Sequence, residues 1–396
     1  MRLLVVNAGS SSLKLTVLDD DGSSGAARTV QPWQGPGHLE PLEEFLAGCG
    51  RVDAVGHRVV HGGPRHRGPA LVDDLLTTYL WSISHLAPLH NPRALAGIEA
   101  VAELLPGVPQ VACFDTTFHA MLPQAAATYA VPREWNERFG LRRYGFHGLS
   151  HAWAVRRGAE LVGRPADELR IVSCHLGAGA SLAAVRGGRS VDTTMGFTPL
   201  AGLVMNTRPG TLDPGLLLWL LEHGDVPEPE LADVLEHHAG LKGLSGTSGD
   251  LREVLAGRAN GDPHCALAFD VYLHRLCREI AAMTAATGGL DLLVMTGGVG
   301  EHTAPIRAAV AGTLGYLGVD VDEQRTGRRP ATATSAQPRR WCGPLSSPPG
   351  KTWRSAARPC SCSGRQRRQP PDDGSLAAGS QMRRSVMSGS PAWRPG

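Results

Sequence analysis

Two short turns rich in glycine and serine are the first candidates for chemistry in this chain. The apolar run 3–6 leads into Asn7-Ala8-Gly9-Ser10-Ser11-Ser12, and the run 171–174 leads into His175-Leu176-Gly177-Ala178-Gly179. A further strand-like run follows each turn, so each segment predicts a β-hairpin with a small polar tip. Glycine lets backbone N–H groups approach an anion without a Cβ in the way, and serine hydroxyls add donors. Both tips are therefore candidate phosphate-binding turns.

One such turn is weak evidence, because ordinary hairpin tips use the same residues. The second copy and a third glycine segment, 297–300 after the buried run 291–295, favour nucleotide binding. Neither standard nucleotide motif competes with this interpretation. No GxGxxG follows the first strand, and the P-loop-like segment 343–352 has six residues rather than four between its glycines.

Two arginines stand in surroundings that suit an anionic substrate. Arg58 lies among strand-like residues, and Arg208 lies in a turn beside Pro209 and Gly210. Each guanidinium offers a planar fork of donors that fits a carboxylate or a phosphoryl group. From these residues alone, an ordinary salt bridge for either arginine is the competing interpretation.

Two histidine pairs, His57/His61 and His147/His151, have the i,i+4 spacing that binds zinc on a helix. The first pair lies on a predicted strand, and neither carries the glutamate of an HExxH motif. The eight cysteines include no CxxC pair, which favours reduced thiols. We therefore expect neither a zinc site nor a disulfide framework.

The elements that must position these residues form two α/β halves, 1–148 and 149–323. Because each half contains one of the glycine hairpins, the sequence predicts a duplicated fold around a central cleft. Outside the hairpins, strands are predicted at 54–60, 110–114 and 291–295. Helices are predicted at 71–83, 92–105, 149–161, 214–222, 228–237 and 265–287.

Composition divides the chain at a different point. Of 396 residues, 42% are apolar and the formal charge is +2, which excludes a wholly disordered chain and a uniformly basic nucleic-acid binder. Counting Lys and Arg against Asp and Glu gives 25 − 35 = −10 for 1–323 and 14 − 2 = +12 for 324–396. The apolar run near the start is too short for a signal peptide or a membrane span, so a cytoplasmic protein is expected.

The segment 324–396 contains no Glu, Ile, Phe or Tyr and is rich in Arg, Pro, Ser and Gly. This composition cannot build a core, so the sequence predicts a disordered, low-complexity tail. A gene with high GC content that is translated in a shifted reading frame yields such a composition, and we favour that origin. The alternative is an evolved basic tail for RNA or membrane anions.

Seven motifs, in order along the chain, resemble the acetate kinase family over 1 to about 323. They are Val5–Lys14, His57–Gly63, Leu86–Pro92, Phe114–Thr116, Tyr144–Gly148, Met195–Leu200 and Thr296–Glu301. The resemblance implies an α/β protein with two duplicated actin-like ATPase domains that close on a central nucleotide cleft. It also implies a cytoplasmic homodimer that makes acetyl phosphate and ADP from acetate and ATP, reversibly, with Mg²⁺ or alternatively Mn²⁺. No nucleic acid or membrane is expected as a partner.

The family pattern also implies roles for matching positions. Arg58 and Arg208 would hold the acetate carboxylate and the phosphoryl group, His147 would donate to its equatorial oxygens, and Asp115 would be the catalytic carboxylate. The pocket for the methyl group would be Val60, Leu89, Phe146 and Pro199, and Asn7 would lie near Mg²⁺. The nucleotide would contact Ser10, Ser12, Lys14, His175, Leu176, Gly177, Ala178, Gly179, Asp250, Leu251, Arg252, Gly298, Val299, Gly300, Glu301 and His302.

Two departures from the family pattern affect these expectations. Ala178 stands where the family usually has Asn, so weaker nucleotide binding is expected. No residue after Glu323 matches the C-terminal glutamate that helps members of the family to hold Mg²⁺. Three alternatives therefore stay open beside acetate kinase: a propionate kinase, a butyrate kinase, and a nucleotide-binding pseudoenzyme with crippled metal chemistry.

Overall fold

The first half of the chain is built on a mixed β-sheet. The computed structural model describes residues 1–9, 12–19, 22–35 and 37–320, together with the backbone of 341–344. The six strands of the first sheet lie in the order β3-β2-β1-β4-β6-β5. They are β1 (Leu3–Ala8), β2 (Leu13–Leu18), β3 (Ser24–Val30), β4 (Ala54–Val59), β5 (Ala70–Leu71) and β6 (Gln110–Phe114).

The second half repeats this arrangement. Its sheet has the order β11-β10-β7-β8-β9. The strands are β7 (Arg170–Leu176), β8 (Ala180–Arg186), β9 (Arg189–Thr193), β10 (Leu292–Thr296) and β11 (Trp341–Pro344). In each sheet three consecutive strands pair antiparallel, and the first of them pairs parallel with a later strand that in turn pairs parallel with another. The predicted duplication is thus present in the strand order.

The helices of the first half are α1 (Glu40–Cys49), α2 (Asp74–Ser82), α3 (Asn91–Leu104), α4 (Gln124–Ala127) and α5 (Arg133–Phe139). The first three of them cover one face of the sheet. Leu4, Val6 and Val55 point to this face and pack with residues of α1 and α3 in one buried cluster. On the opposite face Val5 and Val111 are only half-buried. Alternation along the strands therefore gives this sheet one fully buried face and one partly exposed face.

The second sheet is covered on both faces. Its helices are α6 (Gly148–Val162), α7 (Pro214–His223), α8 (Glu228–Asp233), α9 (Gly240–Ser245), α10 (Leu251–Ala259), α11 (Pro263–Thr287), α12 (Gly297–His302) and α13 (Ala304–Leu314). α6 packs with β7 and β10 on one side, and α11 packs on the other. Nearly every residue of β8 and β10 is accordingly buried. None of the described helices is long and apolar enough to cross a membrane.

Most of the predicted elements form, with boundaries set by local capping. The helix predicted at 71–83 begins at Asp74, because Asp73 caps it by accepting a hydrogen bond from the Leu76 N–H at 2.7 Å. The helix predicted at 228–237 ends at Asp233, where a π-helical turn, Val234–His238, takes over. The glycine segment after β10 is not an open turn but the first turns of α12.

The segment 324–396 lies outside the described residues except for β11. That strand pairs parallel with β10, with Leu292 opposite Trp341 and Met295 opposite Pro344. Its place beside β10 corresponds to the place of β6 beside β4. For these four residues the backbone departs from the predicted lack of structure, and for the rest of the segment the prediction stands untested.

Candidate active site

Arg58 is held at the end of β4 by two polar neighbours. The parallel register sets Asn7 of β1 beside Arg58, and Asp115 follows β6 directly. Arg58 donates to Asp115 from Nη2 at 2.6 Å and from Nε at 3.1 Å, and Nη1 donates to Asn7 Oδ1 at 3.1 Å. The neighbouring carboxylate raises the pKa of Arg58. The Asp115 side chain is 2% exposed and that of Arg58 30%, so the guanidinium stays accessible from the cleft.

Arg208 lies in the turn after β9 and has a different environment. Its Nη1 donates to the Pro199 carbonyl at 3.0 Å. Within the described part of the chain, no carboxylate lies within ion-pair distance of its guanidinium. Burial lowers the pKa of Arg208, and the charge of Glu236 opposes that effect only partly. Arg208 is thus a half-buried cation without a carboxylate partner among the described residues.

The glycine turn 177–179 approaches Arg208 and His147 closely. A Cβ added to Gly179 would lie 3.0 Å from Arg208 Nη2 and 3.3 Å from His147 Nε2. The Gly177 N–H closes the turn onto the Gly179 carbonyl at 3.0 Å, and the Asn206 N–H donates to the Ala178 carbonyl at 3.2 Å. A side chain at Gly179 would therefore crowd the guanidinium of Arg208 and the ring of His147.

His147 has a backbone conformation that few side chains adopt. Its φ is 56°, and it precedes α6, whose first residue Gly148 donates its N–H to the Asp115 carbonyl at 2.8 Å. The imidazole stacks on His175 with ring centroids 4.3 Å apart. Burial, His175 and Arg58 together hold the pKa of His147 well below its usual range. His147 is therefore a neutral imidazole at pH 7, which can offer only one N–H.

His175 is the last residue but one of β7 and faces the same cleft. Its Nδ1 lies 2.8 Å from the Ser150 hydroxyl, and burial lowers the pKa of His175 to about 4. Leu176, the next residue, is buried, whereas Ala178 at the tip of the turn is exposed. The second hairpin thus presents the neutral ring of His175, stacked on His147, and backbone groups rather than charged side chains.

The first hairpin is also closed by a backbone hydrogen bond. The Gly9 N–H donates to the Ser12 carbonyl at 2.7 Å, and Lys14 is exposed on β2 directly opposite Asn7. Ser10 lies outside the described residues. Lys14 and Asn7 therefore point to the end of the sheet that carries Arg58.

The predicted methyl pocket is only partly enclosed. Val60 and Phe146 are buried in the same cluster, and the Pro199 carbonyl is bound to Arg208. Leu89 is 39% exposed. Its neighbour His90 has a pKa lowered to about 4 by burial and by Arg208 and Arg58. The segment that carries Leu89 thus lies near both arginines.

The remaining predicted nucleotide residues lie on two helices. Gly298, Val299 and Gly300 belong to α12, whose Glu301 accepts from Thr296 Oγ1 at 3.0 Å and from the Gly297 N–H at 3.2 Å, and His302 ends this helix. Asp250 caps α10 and pairs with Arg252 at 2.5 Å, which lowers the pKa of Asp250 to about 2. Leu251 is buried. α12 packs against the second hairpin, because Gly297 lies against the Leu176 backbone.

The sequence predicts no role for three side chains at this site. Ser150, Ser181 and His90 contact or surround the predicted residues, yet serines on a strand and a helix look ordinary in a sequence. The i,i+4 spacing with His147 presents His151 only as a possible metal ligand. Among the described residues no group of three His, Cys, Asp or Glu could hold a metal ion. His151 instead bonds two serines.

Comparisons with known proteins agree with this arrangement. A family model described as the acetokinase family matches residues 42–338. The acetate kinase of Synechococcus sp. (strain JA-2-3B'a(2-13)) is 45% identical over 361 residues, covering 81% of this chain and 89% of the relative. The acetate kinase of Thermotoga maritima is 42% identical over 358 residues, covering 82% and 89%.

Solved structures give the same result. The crystal structure of Porphyromonas gingivalis acetate kinase superimposes with a TM-score of 0.79 at 32% identity, covering 87% of this chain and 96% of that one. A propionate kinase from Francisella tularensis matches with a TM-score of 0.79 at 31% identity, covering 87% and 95%. The resemblance predicted from seven motifs and the predicted fold class are confirmed. The chain belongs to the acetokinase family of phosphotransferases.

Proposed function

We propose that this chain transfers the γ-phosphoryl group of ATP to a carboxylate oxygen of acetate, giving acetyl phosphate and ADP. The observation that carries the proposal is the pair of arginines at the cleft. Arg58 is paired with Asp115, whereas Arg208 is a half-buried cation with no carboxylate within ion-pair distance among the described residues. The protein thus orients the guanidinium of Arg58, and the guanidinium of Arg208 would bind an anionic ligand.

The side chains match the demands of phosphoryl transfer. The acetate oxygen attacks phosphorus in line while the bond to ADP breaks, and charge spreads over three equatorial oxygens. Donors fixed before the reaction stabilise that charge without reorganisation. Arg208 and the N–H of neutral His147, both at Gly179, would meet these oxygens, and Arg58, oriented by Asp115, would hold the carboxylate. Asp115 therefore acts at the reacting centre chiefly by fixing Arg58.

The glycine turns would hold the nucleotide phosphates. Ser10, Ser12 and Lys14 from the first hairpin and His175–Gly179 from the second would supply backbone and side-chain donors. The adenosine would lie towards α10 and α12, against Asp250–Arg252 and Gly298–His302. Support for this proposal comes from the packing of α12 on the second hairpin.

The oxygen donors at this site fit Mg²⁺. Asn7 Oδ1 and the Asp115 carboxylate lie together against Arg58, and Mg²⁺ usually keeps several waters and binds one or two carboxylates plus phosphates. When bound, Mg²⁺ or Mn²⁺ would neutralise charge on the nucleotide phosphates. Asn7 would hold it from the protein side.

Substrate preference tests the proposal directly. Val60, Leu89, Phe146 and Pro199 would leave room for a methyl or ethyl group, so kcat/KM across formate, acetate, propionate and butyrate should peak at acetate. One methylene in an apolar pocket is worth only about 1–3 kcal/mol, so propionate should follow closely. The similarity to a propionate kinase makes propionate the second candidate. A clear preference for butyrate would contradict the pocket assignment, and no turnover of any acid would favour the pseudoenzyme.

We further propose that the chain acts in the cytoplasm as a homodimer. No residue of α7 is buried, although it carries Leu216, Leu218, Trp219 and Leu221. Large exposed apolar side chains concentrated on one helix favour an interaction site. Leu218→Glu should dissociate the dimer in light scattering, whereas Leu75→Glu on α2, where Leu75 is 81% exposed, should not. Equal masses for both variants would contradict this interface.

A further inference from the structure

A chain of hydrogen bonds runs from the interior of the second half to the ring of His147. Ser173 Oγ lies 2.9 Å from His151 Nδ1, and His151 Nε2 lies 2.8 Å from Ser181 Oγ. Ser181 Oγ in turn lies 2.9 Å from His147 Nδ1. Ser173, His151 and Ser181 are fully buried, so solvent water has no access to them. These four residues are called the serine–histidine relay below.

The relay has two self-consistent directions. A hydroxyl and a neutral imidazole each donate one hydrogen, and the pKa of His151, like that of His147, is held well below its usual range by burial. In the first direction Ser173 donates to His151, His151 Nε2–H donates to Ser181, and Ser181 donates to His147 Nδ1. His147 then carries its proton on Nε2. In the second direction every bond is reversed, and His147 Nε2 presents a lone pair.

We infer that the relay runs in the first direction and that Ser181 is a positioning residue, which keeps the His147 proton on Nε2. This inference rests on the proposed function, because the group that Nε2–H would meet is a phosphoryl oxygen. His147 Nε2 borders Gly179 together with Nη2 of Arg208. A lone pair there would face incoming phosphoryl oxygens, which are acceptors themselves, whereas an N–H donates to them.

The surrounding contacts leave the ring little freedom. His147 stacks on His175, which is itself held by the Ser150 hydroxyl. The stacking fixes the plane of the imidazole, and in the inferred direction Ser181 donates to Nδ1, which leaves the proton on Nε2. In the same way, hydrogen-bond partners behind metal-bound histidines set their tautomer and orientation. The relay therefore orients a neutral donor towards the cleft.

The tautomer can be read directly by NMR of the full chain labelled with ¹⁵N-histidine. In the wild type we expect His147 Nε2 to be protonated and Nδ1 to show the shift of a nitrogen that accepts a hydrogen bond, with His147→Gln identifying the signals. In Ser181→Ala the Nδ1 signal should move to that of a nitrogen without a partner. The kcat for acetyl phosphate should fall roughly 10–100-fold, the range seen for such outer partners, with KM for acetate little changed.

Ser190→Ala is the matched control. Ser190 is also a buried serine bonded to a buried histidine, His119 Nδ1 at 2.8 Å, but it does not contact His147. This variant should leave the His147 signals and kcat unchanged. A change as large as that of Ser181→Ala would show a general packing effect and would overturn the inference.

Other outcomes distinguish the direction of the relay from the catalytic role of His147. A proton on Nδ1 of His147 in the wild type would overturn the relay direction, even if no variant folded. Unchanged His147 signals and unchanged kcat in Ser181→Ala would do the same. If His147→Gln kept full kcat, the catalytic role of His147 would fail, and the positioning role of Ser181 would fail with it.

Discussion

Removing either cleft arginine should abolish turnover, but only one removal should destabilise the protein. Arg58→Ala takes the partner from Asp115, whose side chain is 2% exposed, and deletes charge-assisted bonds at 2.6 and 3.1 Å. Breaking a buried ion pair costs ~3–5 kcal/mol; water reaches the Arg58 side, so we expect about 2 kcal/mol. Arg208→Ala removes a desolvated cation and one bond to a carbonyl. Its cost should be within about 1 kcal/mol, since active-site charges are often held at the expense of stability.

The assay compares thermal unfolding with acetyl phosphate formation in the same preparations. Both variants should lose about 10³-fold or more in kcat/KM, as when an arginine that stabilises a transferring phosphoryl group is removed. Arg58→Ala should also melt several degrees lower, whereas Arg208→Ala should melt close to the wild type. Arg170→Ala is the control, because Arg170 pairs with Asp291 at 2.7 Å on the surface. It should keep full turnover and lose less than about 1 kcal/mol.

Two results would refute this reasoning. If Arg208→Ala lost as much stability as Arg58→Ala, Arg208 would have a structural partner, and its assignment to a ligand would fail. If either variant kept near-normal turnover, that arginine would not bind the reacting groups.

Three further outcomes are expected. Ala178→Asn should lower KM for ATP, because an amide at the exposed tip of the turn adds a donor to the phosphates; an unchanged KM would place the phosphates elsewhere. Thermal stability should fall as pH decreases from about 6.5 towards 4. In this range histidines of the unfolded chain, with pKa near 6.5, are protonated, whereas the buried histidines of the folded chain stay neutral. A melting temperature that does not change with pH would contradict this. The pKa values of about 4 belong to the buried His57, His61 and His119. Replacing 324–396 by a family-like strand, glutamate turn and helix should raise solubility and turnover at limiting Mg²⁺; equal turnover by the present chain would show that the glutamate is dispensable.

The sequence by itself determined the family, the duplicated hairpins and the residue types at the cleft. Alternating apolar residues fix which face of β1 and β4 is buried, and this local rule places Asn7 and Arg58 on the same side. The predicted spans of the helices α2, α3, α6 and α11 lie within a few residues of the observed ones. These features depend on residues that are close to one another along the chain, so the sequence alone can predict them.

Only the tertiary structure decided how the cleft residues differ from one another. Arg58 and Arg208 are equivalent in a sequence, yet one meets Asp115, 57 residues away, and the other meets no described carboxylate. The hydrogen bonds that connect Ser173, His151 and Ser181 to His147 join α6 to two strands of the second sheet. Pairings of this kind depend on how distant segments pack. A pattern of residue types cannot report them, because burial and hydrogen-bond partners arise only when the sheets and helices come together.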